Sequence, residues 1–272
     1  MISFVGAGPG AADLITVRGA ARLATADVVI WASSLVPEAL LSHCRADVTV
    51  LDSATMTLED VLATYSGHPD GAIVRLHSGD PSVYGAIQEQ IDWCVANGRD
   101  FEVVPGVSSL SAAAAVLGRE LTIPSVSQSV VLTRLAGRTR ASMPERESVA
   151  AFSAHRATMA VFLSGARPAE LQSELLAGGW EEDTPAAVVV RATWPDEQVV
   201  RTTVGRLAED MAATGARTTV LVLVGDALSE AGTRSHLYSP DYAHRFRRRS
   251  EPGTTAGRAA RAPGVRSGRA DG

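Results

Sequence analysis

Three short segments carry the residue types from which a ligand cradle is built: Gly6-Ala7-Gly8-Pro9-Gly10, Ser78-Gly79-Asp80-Pro81 and Pro105-Gly106-Val107-Ser108-Ser109. Glycine has no Cβ, so backbone amides and carbonyls can come close to a bound molecule, and proline fixes the turn. Taken singly, each segment reads as an ordinary turn. Each also follows a short apolar run, and three such segments within one half of a chain point to a shared binding edge. Their side chains are a carboxylate and hydroxyls, which hold and orient a ligand. His77 stands beside the second segment, either as a general base or as a structural imidazole at a strand end.

Other chemistries are excluded or weakened by what the chain lacks. All 25 basic residues are Arg, against 30 acids, and there is no Lys. That rules out a P-loop, a Schiff-base enzyme and a lysine general base. Two cysteines, Cys44 and Cys94, make neither a disulfide framework nor a metal cluster, as expected in a reducing compartment. The histidines show no i, i+4 pair and no cysteine partner at ligand spacing, so no metal is expected. No G-x-S-x-G elbow occurs. Gly6, Gly8 and Ala11 match a dinucleotide fingerprint, and a nicotinamide-dependent reductase is the rival enzyme reading. Two features oppose it. Pro9 has no N–H to offer a pyrophosphate, and the second apolar run ends Ile30-Trp31-Ala32-Ser33 without a ribose-binding carboxylate.

The elements that must position these segments follow from periodicity. Apolar runs at 2–5, 28–31, 48–51, 72–76 and 101–104 read as buried strands. Helical stretches at 14–24, from 57, at 85–97 and up to Leu117 alternate with them. That alternation predicts a parallel sheet covered on both faces, with ligands gathering at the carboxyl ends of its strands. After Gly118 the pattern changes. Residues 125–134, 159–163 and 218–224 read as strands, 168–176 as a helix opened by Pro168, and 186–192 with 198–204 as a hairpin. The expected fold class is α/β with two α/β domains. The first, 1–118, is a parallel sheet carrying the glycine loops; the second, 125–230, is a mixed sheet.

Residues 240–272 are rich in Arg and Gly and poor in apolar side chains, so they are expected to be disordered. From Gly232 onward there are nine Arg and three acids, so residues 1–231 are strongly acidic. A nucleic-acid-binding role through Arg245–Arg249 is the non-enzymatic alternative, set against a simple solvated extension. No apolar run reaches the ~18–20 residues of a membrane span, and Met1 leads straight into a strand-like stretch. A cytoplasmic protein that contacts no membrane is expected.

The chain resembles the tetrapyrrole methylases, S-adenosylmethionine-dependent enzymes that methylate uroporphyrinogen and the precorrins. The resemblance rests on Val5-Gly6-Ala7-Gly8-Pro9-Gly10 with Asp13-Leu14-Ile15-Thr16, on Ser78-Gly79-Asp80-Pro81 with Tyr84-Gly85, and on Pro105-Gly106-Val107-Ser108-Ser109. It spans roughly residues 1–230. Ser33-Ser34-Leu35-Val36, residues 52–58 and Ala192-Thr193-Trp194-Pro195-Asp196-Glu197 make it most similar to the branch that acts on C11 of precorrin-4.

The resemblance implies an active site in the cleft between two α/β domains, a homodimer and a precorrin-4-type tetrapyrrole substrate. It also implies S-adenosyl-L-methionine held folded, mainly by main-chain contacts. Carried over by motif, the donor contacts are Pro9, Ser78, Gly79, Asp80, Val83, Ser108 and Ser109, with Leu163 and Ala192 from the second domain. Asp80 either serves the donor or caps its own loop before Pro81. Related uroporphyrinogen methylases carry an Asp after the second strand, and Ser33 stands there in this chain, so no catalytic base is identified. A polycarboxylate substrate asks for Arg, and Arg18, Arg75, Arg134 and Arg191 are the candidates. Cobalt-precorrin-4, or another precorrin ring carbon, is the nearest alternative target.

Overall fold

The computed structural model describes residues 1–136, 141–229, 234–255 and 257. Its first half is a five-stranded sheet of β1 (Ile2–Gly6), β2 (Val28–Trp31), β3 (Thr49–Asp52), β4 (Ile73–His77) and β5 (Phe101–Val104). The spatial order is β3-β2-β4-β1-β5 and every pairing is parallel. All five carboxyl ends therefore emerge on one edge, where the glycine loops lie.

The central strands are mostly apolar because both faces are covered, with Ser3, Arg75 and His77 as the polar exceptions on β1 and β4. Val5, Val29, Val74, Leu76 and Val104 pack on one face with Leu23 of α1 (Val17–Ala24) and with Leu40. Ile2, Phe4, Val28, Ile30 and Ile73 pack on the other, against α2 (Leu58–Gly67) and α3 (Gln88–Ala96). Local signals set the helix starts. The Thr16 hydroxyl accepts from the Gly19 amide, and Thr57 with Asp60 closes a capping box on α2.

α3 begins at Gln88, three residues later than its apolar pattern predicts. Tyr84 and Ala86 hold positive φ values of 57° and 50°, and a Cβ on Gly85 would lie 2.1 Å from the Pro81 carbonyl oxygen. The chain there is a tight loop, incompatible with a helix.

The second sheet runs β6-β7-β10-β8-β9, from β6 (Val130–Arg134), β7 (Thr158–Phe162), β8 (Pro185–Val190), β9 (Gln198–Thr203) and β10 (Val220–Val224). Only β6 and β7 are parallel; β8 and β9 form the expected hairpin, and β10 is antiparallel to both its neighbours. One face packs on α5 (Val149–Ser153), α6 (Pro168–Ala177) and α7 (Leu207–Ala213) through Leu171, Leu175 and Met211. The other face is covered by α4 (Ser109–Leu117), whose Ala112, Ala113 and Leu117 meet Ala160, Ala187, Val189, Leu221 and Leu223.

α4 starts at the third glycine loop, with the Ser108 hydroxyl capping it, and ends at Gly118 in the left-handed conformation (φ 61°). It thus links the edge of the first sheet to the core of the second. Arg201 and Arg119 reinforce that link by donating to the carbonyls of Leu117 and Ala227.

Beyond the second sheet, one Arg247 nitrogen donates to the carbonyls of Leu237, Ser239 and Tyr242, drawing residues 237–247 into a turn. Within the segment expected to be disordered, residues 256 and 258–272 lie outside the described residues. Among the described residues no helix is long and apolar enough to cross a membrane.

His77 closes β4 with its imidazole buried, 6.3 Å from the Phe4 ring, and its Nε2 has no hydrogen-bond partner. Burial, with the Arg75 charge nearby, pushes its pKa from 6.5 down to about 3. An unfolded chain takes up that proton first, so acid favours unfolding. The stability His77 confers is whole above pH 6.5 and is lost as pH falls towards 3. His77→Leu is expected to flatten the fall in Tm between about pH 6 and pH 4.5, above the range in which carboxylates dominate. Thermal unfolding across that range checks it, and an unchanged slope would remove His77 as the cause.

Candidate active site

At the carboxyl edge of the first sheet, three backbones approach more closely than side chains would allow. A Cβ on Gly106 would lie 2.1 Å from the Gly79 carbonyl oxygen, and one on Gly6 would lie 2.5 Å from the Gly106 Cα. The Gly8 and Gly79 backbones exchange two hydrogen bonds, at 3.2 and 2.8 Å. Both residues have positive φ, 81° and 64°. Asp80 completes the junction. One carboxylate oxygen accepts from the Ser82 amide and the other from the Gly106 amide, each at 2.8 Å. Asp80 therefore caps its own loop and ties it to the third.

The second sheet meets this junction through the hairpin loop 191–197. Thr193 Oγ1 accepts from the Ala11 amide at 2.9 Å, and Trp194 Nε1 donates to the Pro9 carbonyl at 2.9 Å. A Cβ on Gly10 would lie 2.2 Å from the Trp194 ring, so glycine there admits the indole. Arg191 stacks over Trp194 at 5.0 Å and pairs with Asp196.

Between the two sheets lies a cavity of about 340 Å³, within the usual range for small-molecule sites. All nine residues expected to touch a methyl donor line it: Pro9, Ser78, Gly79, Asp80, Val83, Ser108 and Ser109 from the first half, and Leu163 and Ala192 from the second. Backbone strain concentrates at the same place. Tyr84, Leu163 and Thr219, all non-glycine residues at positive φ, line the cavity, and Arg191 and Thr193, also at positive φ, flank Ala192. Such conformations persist only where surrounding structure enforces them, and they cluster at functional sites.

None of the four candidate arginines lines this cavity. Arg18 is exposed on α1. Arg75 is half-buried on β4, its guanidinium donating to the carbonyls of Ile30 and Leu76. Arg134 donates to the Ala136 carbonyl and the Ser142 hydroxyl. Arg191 is engaged with Asp196 and Trp194, as above.

Among the described residues the arginine that does line the cavity is Arg217, just before β10. Its neighbours Thr218 and Thr219 line it too; the apolar run 218–224 placed them inside a strand, but β10 starts at Val220, after Thr219 at positive φ (55°). A carboxylate does reach Ser33, from a different strand. Asp52, at the end of β3, accepts from the Ser33 amide at 3.1 Å and from its hydroxyl at 2.6 Å. The Ser33 hydroxyl, then the amides of Ala54 and Ser33, hold the Asp52 carboxyl below the usual range. Asp52 is exposed and lies outside the cavity wall. Among the described residues no group of three or more His, Cys, Asp or Glu is arranged to hold a metal ion.

Residues 1–208 match the family model of the tetrapyrrole (corrin/porphyrin) methylases. A precorrin-4 C(11)-methyltransferase of Pseudomonas aeruginosa is 44% identical over 249 residues, covering 90% of this chain and 98% of its own. A cobalt precorrin-4 methyltransferase of cobalamin biosynthesis, known from its X-ray structure, superposes with a TM-score of 0.80 at 44% identity. That alignment covers 84% of this chain and 95% of the other. The uroporphyrin-III C-methyl transferase of Thermus thermophilus, crystallised with S-adenosyl homocysteine, gives a TM-score of 0.70 at 26% identity, with coverages of 84% and 98%. A parallel sheet with glycine loops at its carboxyl edge, a mixed sheet closing the cavity, and a family match over most of the length agree: the chain belongs to the tetrapyrrole (corrin/porphyrin) methylase family.

Proposed function

We propose that this protein transfers the methyl group of S-adenosyl-L-methionine to C11 of precorrin-4, giving precorrin-5 in cobalamin biosynthesis. The observation that carries the reading is the convergence of all nine motif-derived residues on one cavity between the sheets. The names of the similar proteins support the substrate. The same relatives favour cobalt-precorrin-4 as the second reading, because one of the two named precorrin-4 enzymes acts on the cobalt form.

The cavity suits the donor. Its glycine and proline turns bring main chain to the wall, Ser78, Ser108 and Ser109 offer hydroxyls, and Val83, Val189 and Leu221 supply apolar surface. The donor supplies an activated sulfonium methyl, so the protein needs neither a metal nor a nucleophilic side chain. What remains is alignment within ~3–3.5 Å and exclusion of water. The Gly6–Gly79–Gly106 junction provides a fixed floor, and the hairpin carrying Trp194 keeps the second sheet at a fixed distance from it. In this reading Asp80 acts by holding two loops in register, through the amides of Ser82 and Gly106.

The nicotinamide alternative loses ground on the same geometry. Pro9 has no amide hydrogen, its carbonyl is taken by Trp194, and Asp52 lies outside the cavity. A homodimer working in the cytoplasm completes the proposal. The family resemblance implies the dimer, and the free thiols Cys44 and Cys94 suit a reducing compartment.

Two outcomes are expected. Calorimetry should find micromolar binding of S-adenosylhomocysteine and none of NAD or a DNA duplex, and mass spectrometry of precorrin-4 incubated with donor and protein should show one added methyl. Binding of NAD alone would overturn the reading. Comparing metal-free with cobalt-loaded substrate separates its two forms. Asp80→Ala releases two backbone amides, each charge-assisted bond being worth about 1.5–3 kcal/mol. It should weaken S-adenosylhomocysteine binding at least about tenfold and lower Tm, with Asp80→Asn intermediate. Unchanged affinity in the Ala variant would show that the loop register does not matter to the donor.

A further inference from the structure

The cavity mouth carries an unusual concentration of uncovered apolar side chains. Leu35 is 40% exposed, Val83 38%, Tyr84 47% and Leu163 66%, and all four line the cavity. They come from both halves of the molecule: Leu35 follows β2, Val83 and Tyr84 follow β4, and Leu163 follows β7. Scattered exposed apolar residues need no explanation, but a group gathered on the rim of one cavity marks a contact surface.

Tyr84 is the best-fixed member. Its backbone is left-handed (φ 57°), a conformation unfavourable for a bulky residue, and the loop on either side enforces it. Gly85 packs too tightly on Pro81 to accept a Cβ, and Asp80 holds the Ser82 amide. The Tyr84 ring also bridges the halves, with its centroid 5.2 Å from that of Phe162 on β7, tilted by 55°. Nearly half of this strained, two-sided aromatic is still left in solvent.

We infer that Tyr84 and Leu35, flanked by the exposed side chains of Val83 and Leu163, form the apolar platform on which the macrocycle face of the reduced tetrapyrrole lies, directly over the cavity that takes the methyl donor. The inference rests on the function proposed above and names its substrate-facing residues. A tetrapyrrole carries its charge on peripheral carboxylates and presents apolar ring faces, which an aromatic and three aliphatic side chains complement. The position also meets the chemical requirement. An acceptor carbon must come within ~3–3.5 Å of the transferred methyl with water shut out, which only a surface continuous with the donor cavity allows. Val83 and Leu163 line the cavity and are also exposed at its mouth, so they border both ligands.

The test separates the two ligands. In steady-state methylation of precorrin-4, Tyr84→Ala should raise the KM for the tetrapyrrole about tenfold, while the Kd of S-adenosylhomocysteine by calorimetry stays within about twofold. Tyr84→Phe, which keeps the ring, should restore the wild-type KM. Leu35→Gln should give the same split in smaller measure, and it decides the matter if the Ala variant fails to fold. An unchanged tetrapyrrole KM in Tyr84→Ala, or an equal loss of S-adenosylhomocysteine affinity, would overturn the platform. If the wild-type protein methylates a different tetrapyrrole instead, the substrate assignment above is corrected, and the same comparison on that tetrapyrrole decides the platform.

Discussion

Contact between main chains at the Gly6–Gly79–Gly106 junction is the constraint on which the rest depends. Three strand ends converge so closely that a single Cβ on Gly106 would sit inside the van der Waals shell of the Gly79 carbonyl. Because the floor is backbone, its donors and acceptors are fixed by the sheet and cost no side-chain entropy to position. Parallel pairing makes this arrangement available, since it sends every carboxyl end to one edge. Asp80 then does what no glycine can, spending both carboxylate oxygens on amides of two different loops.

Closure comes from the second sheet, and it is built with strained rather than flexible parts. Arg191 and Thr193 adopt left-handed backbone on either side of Ala192, which aims the loop so that Thr193 and Trp194 reach the first glycine segment. Such conformations cost of order 1–3 kcal/mol each, and burial elsewhere must offset them. The cores on both faces of the second sheet provide that burial, with Leu171, Leu175 and Val222 fully buried on one face and Leu223 on the other. Helix α4 couples the two parts, because its first residue belongs to the third loop and its body belongs to the second sheet's core. A shift in the second sheet is therefore felt at the glycine-loop edge of the first.

Much of this was legible in the residues. Buried strands announce themselves by unbroken apolar runs, and β1, β2, β4, β5, β7 and β10 all lie within a residue or two of where those runs place them. Thr57 with Asp60, Pro168 and the Gly118 stop are local signals obeyed locally. Contacts made across the fold were not legible. An Ala-rich helix does not say which sheet it covers, so α4 read naturally as a partner of the strand before it. The start of α3 was misjudged because a helix pattern says nothing of Gly85 packing on Pro81. The cavity followed the same division. The motif-derived loop residues and Tyr84, which stands beside the second motif, line it, whereas Arg217 and the Asp52–Ser33 pair owe their places to tertiary approach. The candidate arginines were chosen by nearness to strand ends, which fixes where a Cα lies but not what the guanidinium binds.

That outcome bears on how an acidic body recognises a polycarboxylate. Arg22 pairs with Glu102, Arg45 with Asp27 and Asp47, Arg156 with Glu181, Arg167 with Glu170, and Arg206 with Asp210. These solvent-screened pairs contribute little to stability, and within each pair the two charges cancel one another's field at a distance. Little long-range attraction toward an anion is left from residues 1–231, where acids outnumber arginines. Recognition must then act at contact range, through shape, apolar ring faces and cations placed individually. The cavity is made in that way: backbone turns on its floor, aliphatic and aromatic side chains at its mouth and, among the described residues, a single arginine on its wall, Arg217, beside two threonine residues.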